Sequence, residues 1–301
     1  MLYNIGAILL SGTGKMSIRR SGKISLCLAA PAVILSLAVS CNNAPVPTSA
    51  PSDTTVTSST TVTSGSSEAG APAKIVTTGI DVIDLEDNTK QIKVYVDDRE
   101  IEGTIYLPER TGPFPVCFFA QGLGAPSYAY LDIAEEMAAN GIAAVLIDFE
   151  ADEGEYSYIT EAEDLMAMFD GVTSLPYIYC HDTFFWGHSF GGLVVAYAGC
   201  EYYSYFPEKL KGLILLEPSF DFSDDIYDKM PDFGGKVMIF AGKVEGSIGG
   251  SSPDKLENAK NAFQNADIRY FEGEDHYFHG PERDAMIQAS IDFIRNNMEK
   301  N

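Results

Sequence analysis

The sequence predicts an α/β fold whose central sheet is mostly parallel and is covered by helices on both faces. Short, almost continuously apolar segments recur along the chain, and longer segments with helical periodicity separate them. Of the 301 residues, 46% are hydrophobic and 21% are charged, which supplies enough apolar material for one large core. We therefore expect a single globular domain over residues 74–301.

The elements of this domain follow in order from its N-terminal end. Val94–Val96, a DDRE turn and the segment IEGTIYLP predict an antiparallel hairpin. The predicted buried strands are FPVCFFA (114–120), IAAVLIDF (142–149), TFFW (183–186), GLILLEP (212–218), KVMIFAG (236–242) and IRYFEGE (268–274). The predicted helices are about 130–141, 160–172, 193–202, 253–266 and 282–299. Thr160 and Glu163 form a capping-box pattern, which predicts the start of the second helix.

Residues 1–41 predict an export signal that precedes the fold. After Met16, which offers an alternative start, come basic residues, an apolar run over about 24–39, and small residues before Cys41. The ending LAVSC resembles a bacterial lipobox, in which the cysteine becomes the lipidated first residue. An ordinary cleaved signal peptide and a signal anchor are the alternatives.

Residues 42–73 consist mainly of Ser, Thr, Pro, Ala and Gly, with almost no large apolar side chain. Such a segment cannot bury enough apolar surface to offset its ordering entropy, so it predicts a flexible tether. Together with the lipobox, it predicts a domain anchored through Cys41 to the outer face of a bacterial membrane. If Cys41 is not lipidated, the protein is expected to be secreted.

The charge of the chain limits its partners. It carries 43 Asp and Glu against 20 Lys and Arg, a formal net charge of −23. Such a surface repels nucleic acid and anionic lipid headgroups, so a nucleic-acid function is excluded. The cysteine and histidine spacings suggest no metal site, and we expect neither a metal nor another cofactor. The expected partner is a small-molecule substrate.

One short stretch carries the strongest chemical signal. Gly187-His188-Ser189-Phe190-Gly191 fits the pattern G-x-S-x-G between a buried strand and an apolar helix. A sharp strand-to-helix turn strains the backbone at the serine and lifts its hydroxyl clear of the sheet. Side chains at Gly187 and Gly191 would collide with neighbouring backbone. The pattern predicts Ser189 as a nucleophile, and a structural turn with a capping serine is the alternative.

A serine hydroxyl needs a base to accept its proton, and the chain has four histidines. His188 lies within the turn and should point away from the serine, and His181 precedes the strand at the opposite end of the sheet. His276 and His279 follow the last predicted strand. We expect His276 to be the base because it falls directly in the turn, with His279 in reserve.

The third group of such a triad is a carboxylate that orients the histidine. In the expected chain order it lies between the nucleophile and the base. Glu245 follows the strand VMIFAG, and Glu217 ends the segment LILLEP. Either can reach the histidine, and we prefer Glu245 with Glu217 as the alternative.

Two backbone N–H groups are needed to form an oxyanion hole. Phe190, directly after the nucleophile, is expected to supply the first. Leu123, in the QGLGA loop after the strand VCFFA, is expected to supply the second. Gly122 and Gly124 flank Leu123 and allow the backbone to approach the reacting oxygen.

These motifs resemble those of the α/β-hydrolase fold. Within it, the chain is similar to bacterial cinnamoyl/feruloyl-esterase-like and dienelactone-hydrolase-like carboxylesterases over about residues 93–298. The resemblance rests on the stretches GTIYLPERTGPFPVCFFAQGLGA, AEEMAANGIAAVLIDF, TEAEDLMAMFD, GHSFGGLV, KLKGLILLEPSF and FEGEDHYF. It implies Ser189 as nucleophile, His276 as base, the carboxylate after FAG as third member, and Leu123 and Phe190 as oxyanion donors.

The chain departs from this family at three places. Gln121 stands where the family usually has histidine, and Glu245 stands where it usually has aspartate, which keeps Glu217 open as the acid. The segment after GLILL is short, so we expect little or no lid.

The loops expected to ring the serine are rich in aromatic residues. They are Tyr128, Tyr156, Tyr158, Phe220, Phe222, Tyr277 and Phe278. With no Arg or Lys cluster to receive a charged group, we expect a serine carboxylesterase for neutral esters with aromatic or short acyl groups. A binding protein that reuses the fold, and a serine peptidase or lipase, are the alternatives. Cys180 and Cys200 should lie at the same end of the sheet, where they could pair or stay reduced.

Overall fold

A computed structural model describes residues 73–149, 156–223, 225–243 and 250–299. The predicted export signal, nearly all of the predicted tether, and Glu245 lie outside the described residues. Over the described ranges, no helix is long and apolar enough to cross a membrane.

Nine strands form one sheet within the part of the chain that the structure describes. They are β1 (Gly79–Asp84), β2 (Thr89–Val96), β3 (Arg99–Tyr106), β4 (Phe114–Ala120), β5 (Ala143–Asp148), β6 (Ile178–His188), β7 (Leu210–Leu216), β8 (Lys236–Lys243) and β9 (Ala266–Glu272). Their spatial order is β1-β2-β3-β5-β4-β6-β7-β8-β9. The pairs β1–β2, β2–β3 and β3–β5 are antiparallel, and the remaining pairs are parallel.

The strand order places the functional loops beside each other. The chain leaves β4 to form β5 on one side, and β6 then returns to the other side of β4. Loops at the carboxyl ends of parallel strands form a crevice where the strand order reverses in this way. Ala120 at the end of β4 is paired with Gly187 of β6, so the loop after β4 lies next to the turn that follows β6.

Helices cover both faces of the sheet. They are α1 (Leu131–Ala139), α2 (Tyr158–Thr173), α3 (Phe190–Tyr202), α4 (Ile226–Lys229), α5 (Pro253–Ala262) and α6 (Arg283–Asn297). Buried residues of α2, α3 and α5 share one apolar core, and those of α1 and α6 share the other. Because side chains alternate along a strand, Phe118 of β4 enters the first core and Phe119 the second. Each such phenylalanine contributes about 1.5–3 kcal/mol through burial.

The predicted α/β architecture is confirmed, but several local features differ from expectation. β6 begins at Ile178, so His181 lies within this strand and not before it. β1 was not predicted, because most of this edge strand is exposed and lacks the continuous apolar run of the buried strands. The capping box at Thr160 and Glu163 is wrong. α2 begins earlier, and its N-cap is Ser157, whose side-chain oxygen accepts a hydrogen bond from the backbone N–H of Thr160 at 3.3 Å.

Two further expectations concern the lid and the cysteines. The segment between β7 and β8 holds α4 and two short 3-10 helices, Phe220–Phe222 and Met230–Asp232, as expected of a chain with little lid. Cys180 and Cys200 are both buried, and within the described residues no disulfide joins them.

Candidate active site

The turn between β6 and α3 carries the predicted nucleophile. Ser189 has φ 56° and ψ −119°, a left-handed conformation that is strained for a residue with a side chain. A Cβ atom on Gly187 would lie 2.2 Å from the carbonyl oxygen of Gly191. One on Gly191 would lie 2.1 Å from the carbonyl oxygen of Ala120. Both contacts are with backbone, so only glycine fits at these two positions.

Backbone hydrogen bonds tie this turn to the end of β7. The N–H of Ser189 donates to the carbonyl of Leu216 at 2.9 Å, and its carbonyl accepts from the N–H of Ser219 at 2.9 Å. The strained turn is therefore held on both sides by the neighbouring strand and its loop. Such support is what allows a strained conformation to persist.

His276 lies against the serine. Its Nε2 is 2.9 Å from Ser189 Oγ, a hydrogen-bonding distance, and the histidine is only 5% exposed. Ser219 Oγ lies 3.1 Å from the same oxygen. Ser219 was not among the expected site residues. Its position in the loop directly after β7, two residues beyond Glu217, could have indicated that it lies at the site. His279 instead stacks its ring on Tyr277, with ring centroids 5.8 Å apart.

Of the two glutamates considered for the acid, Glu217 lies beside His276. Its Oε2 is 3.6 Å from His276 Nδ1, which is an ion-pair distance rather than a hydrogen bond. Glu217 follows β7 directly, has φ 46° and is 6% exposed. Its Oε1 accepts a hydrogen bond from the N–H of Gly242. Glu245 lies outside the described residues, so the structure places only the alternative acid.

Gly250 closes the far side of this pair. A Cβ atom at this position would lie 2.3 Å from Glu217 Oε2 and 3.3 Å from His276 Nδ1. Its φ of +67° also lies in the region that favours glycine. Gly250 was not among the expected site residues, because its proximity to the carboxylate is a contact between segments distant in sequence.

The loop after β4 lines the cleft that also contains His276. Leu123 is 48% exposed and lines the same cleft as Ser189, while the backbone N–H of Phe190 stands at the start of α3. A helix N-terminus presents unpaired N–H groups and a partial positive charge. The two expected oxyanion donors thus belong to the loop and the helix that border the serine.

Gln121 anchors the base of this loop. In the amide orientation that satisfies both groups, its nitrogen donates to the carbonyl of Ile147 at 2.6 Å and its oxygen accepts from the N–H of Phe149 at 3.3 Å. The loop is therefore fastened to the end of β5.

His188 makes its polar contacts elsewhere than with the serine. Its Nδ1 lies 2.8 Å from Tyr130 Oη, and its Nε2 lies 2.8 Å from the backbone carbonyl oxygen of His276. Burial lowers the pKa of His188 to about 4, so the ring is neutral near pH 7. Burial also raises the pKa of Tyr130 to about 12.

Two clefts open on either side of Leu123. One of about 370 Å³ is lined by Ser189, His276, Tyr277 and Arg283, among others. The other, of about 450 Å³, is lined by Tyr128, Tyr156 and Glu161 together with the loop itself. Several exposed aromatic side chains stand at these mouths, with Tyr128 73% and Tyr277 56% exposed. Among the described residues, no group of three or more His, Cys, Asp or Glu side chains could hold a metal ion.

Comparison with known families identifies the family of this chain. A family model described as Hydrolase_4, serine aminopeptidase S33, matches residues 111–290, which is more than half of the chain. The chain belongs to this family. It is thereby an α/β-hydrolase, which confirms the resemblance at the level of the fold. No curated protein matches the sequence.

Solved structures show the same fold at low sequence identity. Dienelactone hydrolase from Anabaena variabilis is 17% identical, with a TM-score of 0.57, and the match covers 70% of this chain and 100% of that one. Est1E from Butyrivibrio proteoclasticus is 15% identical, with a TM-score of 0.59 and coverages of 70% and 99%. A fungal esterase from Rhizomucor miehei is 13% identical, with a TM-score of 0.59 and coverages of 74% and 85%. At these identities, the likeness concerns the fold alone.

Proposed function

We propose that this α/β-hydrolase is a serine carboxylesterase that cleaves neutral esters through an acyl-enzyme. The observation that carries the proposal is the contact of His276 Nε2 with Ser189 Oγ at 2.9 Å, on a serine held in a strained turn. A hydroxyl within hydrogen-bond reach of a buried imidazole is the arrangement that nucleophilic catalysis requires.

In the proposed reaction, Ser189 Oγ attacks the ester carbonyl carbon while His276 Nε2 takes the serine proton. The backbone N–H groups of Leu123 and Phe190 stabilise the charge that develops on the carbonyl oxygen. The imidazolium then gives its proton to the departing alcohol oxygen, which leaves the acyl group on Ser189. A water molecule, deprotonated by His276, attacks this acyl group and releases the acid and the free serine.

We assign the third role in this reaction to Glu217. A carboxylate 3.6 Å from Nδ1 attracts the imidazolium that forms during both steps, and burial of the two groups strengthens that attraction. Catalytic contacts of this kind often shorten only in the reacting complex. The hydrogen bond from Gly242 to Oε1 keeps the carboxylate turned so that Oε2 faces the ring.

The test is hydrolysis of p-nitrophenyl acetate and butyrate by the full chain and by three variants. We expect Ser189→Ala to lower kcat/KM by at least about 10⁴-fold and Glu217→Gln by about 100-fold or more. Glu245→Gln is the matched comparison, and we expect it to retain far more activity than Glu217→Gln. If the order of the two glutamate variants is reversed, Glu245 is the acid. A folded wild-type protein that neither turns over nor reacts with a fluorophosphonate at Ser189 contradicts the esterase proposal.

The proposal that the ester is neutral is supported by the lining of the clefts. The exposed aromatic side chains of Tyr128, Tyr156 and Tyr277 stand at their mouths, and Arg283, which lines the smaller cleft, is paired with Asp132. A panel of short-chain p-nitrophenyl esters, methyl cinnamate and aminoacyl naphthylamides tests the substrate class. Faster turnover of the naphthylamides than of the esters would favour a peptidase.

We further propose that the protein is exported and anchored through a lipid on Cys41. The support is the sequence alone, with its apolar run, small residues and cysteine followed by the tether at 42–73. In bacteria fed an alkynyl fatty acid, we expect the wild-type protein to carry the label and Cys41→Ala to lack it. Equal labelling of the two proteins would exclude this anchor, and no labelling of either would favour secretion.

A further inference from the structure

A chain of buried hydrogen bonds connects the loop after β4 to the backbone of His276, and the proposed hydrolysis does not use it. The N–H of Gly122 donates to Tyr130 Oη at 2.9 Å. Tyr130 Oη lies 2.8 Å from His188 Nδ1, and His188 Nε2 lies 2.8 Å from the carbonyl oxygen of His276. We call these three bonds the Tyr130–His188 bridge.

Chemistry fixes the direction of each bond in the bridge. The carbonyl oxygen of His276 can only accept, so His188 Nε2 carries the proton and donates it. Because the pKa of His188 is lowered to about 4, its ring is neutral and Nδ1 keeps a lone pair. Tyr130 must then donate its hydroxyl proton to Nδ1, and its oxygen remains free to accept from Gly122. Every polar atom of the two side chains is thus engaged with another part of the protein.

The two ends of the bridge are the two loops on which the proposed reaction depends. Gly122 directly precedes Leu123, the expected oxyanion donor. At the other end, the anchored carbonyl belongs to the residue whose imidazole contacts Ser189. Neither loop has a strand or helix of its own over residues 121–126 and 273–281, so hydrogen bonds and packing must hold them in place.

Packing makes the bridge rigid. The ring of Tyr130 packs edge-on against Trp186 at 5.5 Å, and the ring of His188 lies 4.9 Å from that of His276. A Cβ atom on Gly122 would lie 3.3 Å from His188 Nδ1 and 3.4 Å from Tyr130 Oη, so the loop rests closely on both side chains. A shift in either side chain would therefore be passed to the loop.

We propose that Tyr130 and His188 are positioning residues, which hold the oxyanion loop and the His276 loop at matched distances from Ser189. The proposal rests on the esterase function proposed above. Displacing either loop would leave substrate binding largely intact and would weaken contacts that form fully only in the transition state. The bridge therefore affects kcat more than KM.

The first test compares Tyr130→Phe with Tyr177→Phe in the full chain. Tyr177 is the matched control, because its buried hydroxyl has no hydrogen-bond partner within the described residues. We expect Tyr130→Phe to lower kcat by about 10-fold to 100-fold with KM within about twofold, and Tyr177→Phe to leave both unchanged. Affinity for benzeneboronic acid, which forms a tetrahedral adduct on serine, should fall with kcat, while inhibition by the product acid should not change.

The second test changes His188 and examines separately its bond to Tyr130 and its bond to the carbonyl of His276. The single variants of His188 remain informative even if Tyr130→Phe does not fold. An asparagine can accept from Tyr130 but does not reach the carbonyl of His276, whereas a glutamine can donate to that carbonyl. We expect both His188→Asn and His188→Gln to retain more activity than His188→Ala. Combined with Tyr130→Phe, His188→Ala should cost less than the sum of the single effects, because the two residues act as one unit.

The outcomes distinguish this inference from the function on which it rests. If the wild type is no more active than Ser189→Ala, the esterase proposal itself fails. If Ser189→Ala is inactive but Tyr130→Phe and His188→Ala keep kcat within twofold of wild type, the positioning proposal is overturned. An equal loss of kcat in Tyr130→Phe and Tyr177→Phe would also overturn it, as would strictly additive losses in the variant that combines Tyr130→Phe with His188→Ala.

Discussion

At the scale of single residues, the contact between Glu217 and His276 depends on the absence of a side chain at Gly250. The methyl group of an alanine there would stand 2.3 Å from Glu217 Oε2, well inside van der Waals contact. The carboxylate would have to turn away from the imidazole or lose its hydrogen bond from Gly242. One methyl group placed outside the triad would thus remove the orientation that the acid is proposed to supply.

We therefore predict that Gly250→Ala lowers kcat/KM by about 10-fold to 1,000-fold, a partial loss of the acid's contribution, although the proposed triad residues are unchanged. The control is Gly273→Ala, which has a similar positive φ of 79° but no atom within 4 Å of the added methyl group. Both substitutions should lower stability by about 1–2 kcal/mol through backbone strain. Ester hydrolysis and thermal unfolding of the two variants provide the measurement, and equal activity of both would contradict the prediction.

At the scale of the elements, what could be predicted follows from burial. Strands such as β4 and β7 are buried on both faces, so they read as continuous apolar runs and their bounds were predicted to within a few residues. The exposed edge strand β1 gave no such signal. The start of α2 was misplaced because Ser157 and Thr160 are both residues that can cap a helix, and the structure uses Ser157.

In the candidate site, some residues could be predicted from local sequence and others could not. Ser189 and His276 are recognisable because local sequence specifies them, through a glycine-flanked serine and a histidine directly after a strand. The acid is not, because β7 and β8 are neighbouring parallel strands that both end near a glutamate. What favours Glu217 is the approach of its Oε2 to within 3.6 Å of His276 Nδ1. The hydrogen bond from its backbone N–H to the carbonyl oxygen of Phe240 at 2.8 Å and the close approach of Gly250 hold it there. The contacts of Ser219, Tyr130 and His188 likewise join segments that are distant in sequence.

At the scale of the whole molecule, a chain with a net charge of −23 also buries carboxyl groups, and one of them links stability to pH. Glu161, in the first turn of α2, is 6% exposed. Burial raises the pKa of its carboxyl to about 8, and the charge of Asp164 adds to this effect. At pH values between the ordinary pKa of a glutamate and about 8, the carboxyl of Glu161 therefore keeps its proton in the folded state and releases it in the unfolded state. The contribution of Glu161 to the free energy of unfolding is fully present at low pH and is lost as the pH rises through this range.

Replacing Glu161 with glutamine should remove this dependence, since the amide resembles the protonated acid in shape and stays neutral at every pH. We predict that Glu161→Gln unfolds at nearly the same temperature as wild type at pH 5 and about 3–8 °C higher at pH 8.5. Glu208→Gln is the control, because it removes the same charge from an exposed position. Its unfolding temperature shows how much is gained by reducing the net negative charge alone, and we expect this gain to be small. The measurement is the unfolding temperature of the three proteins from pH 5 to 9. If the Glu161→Gln and Glu208→Gln curves run parallel, the buried carboxyl is not the source of the pH dependence.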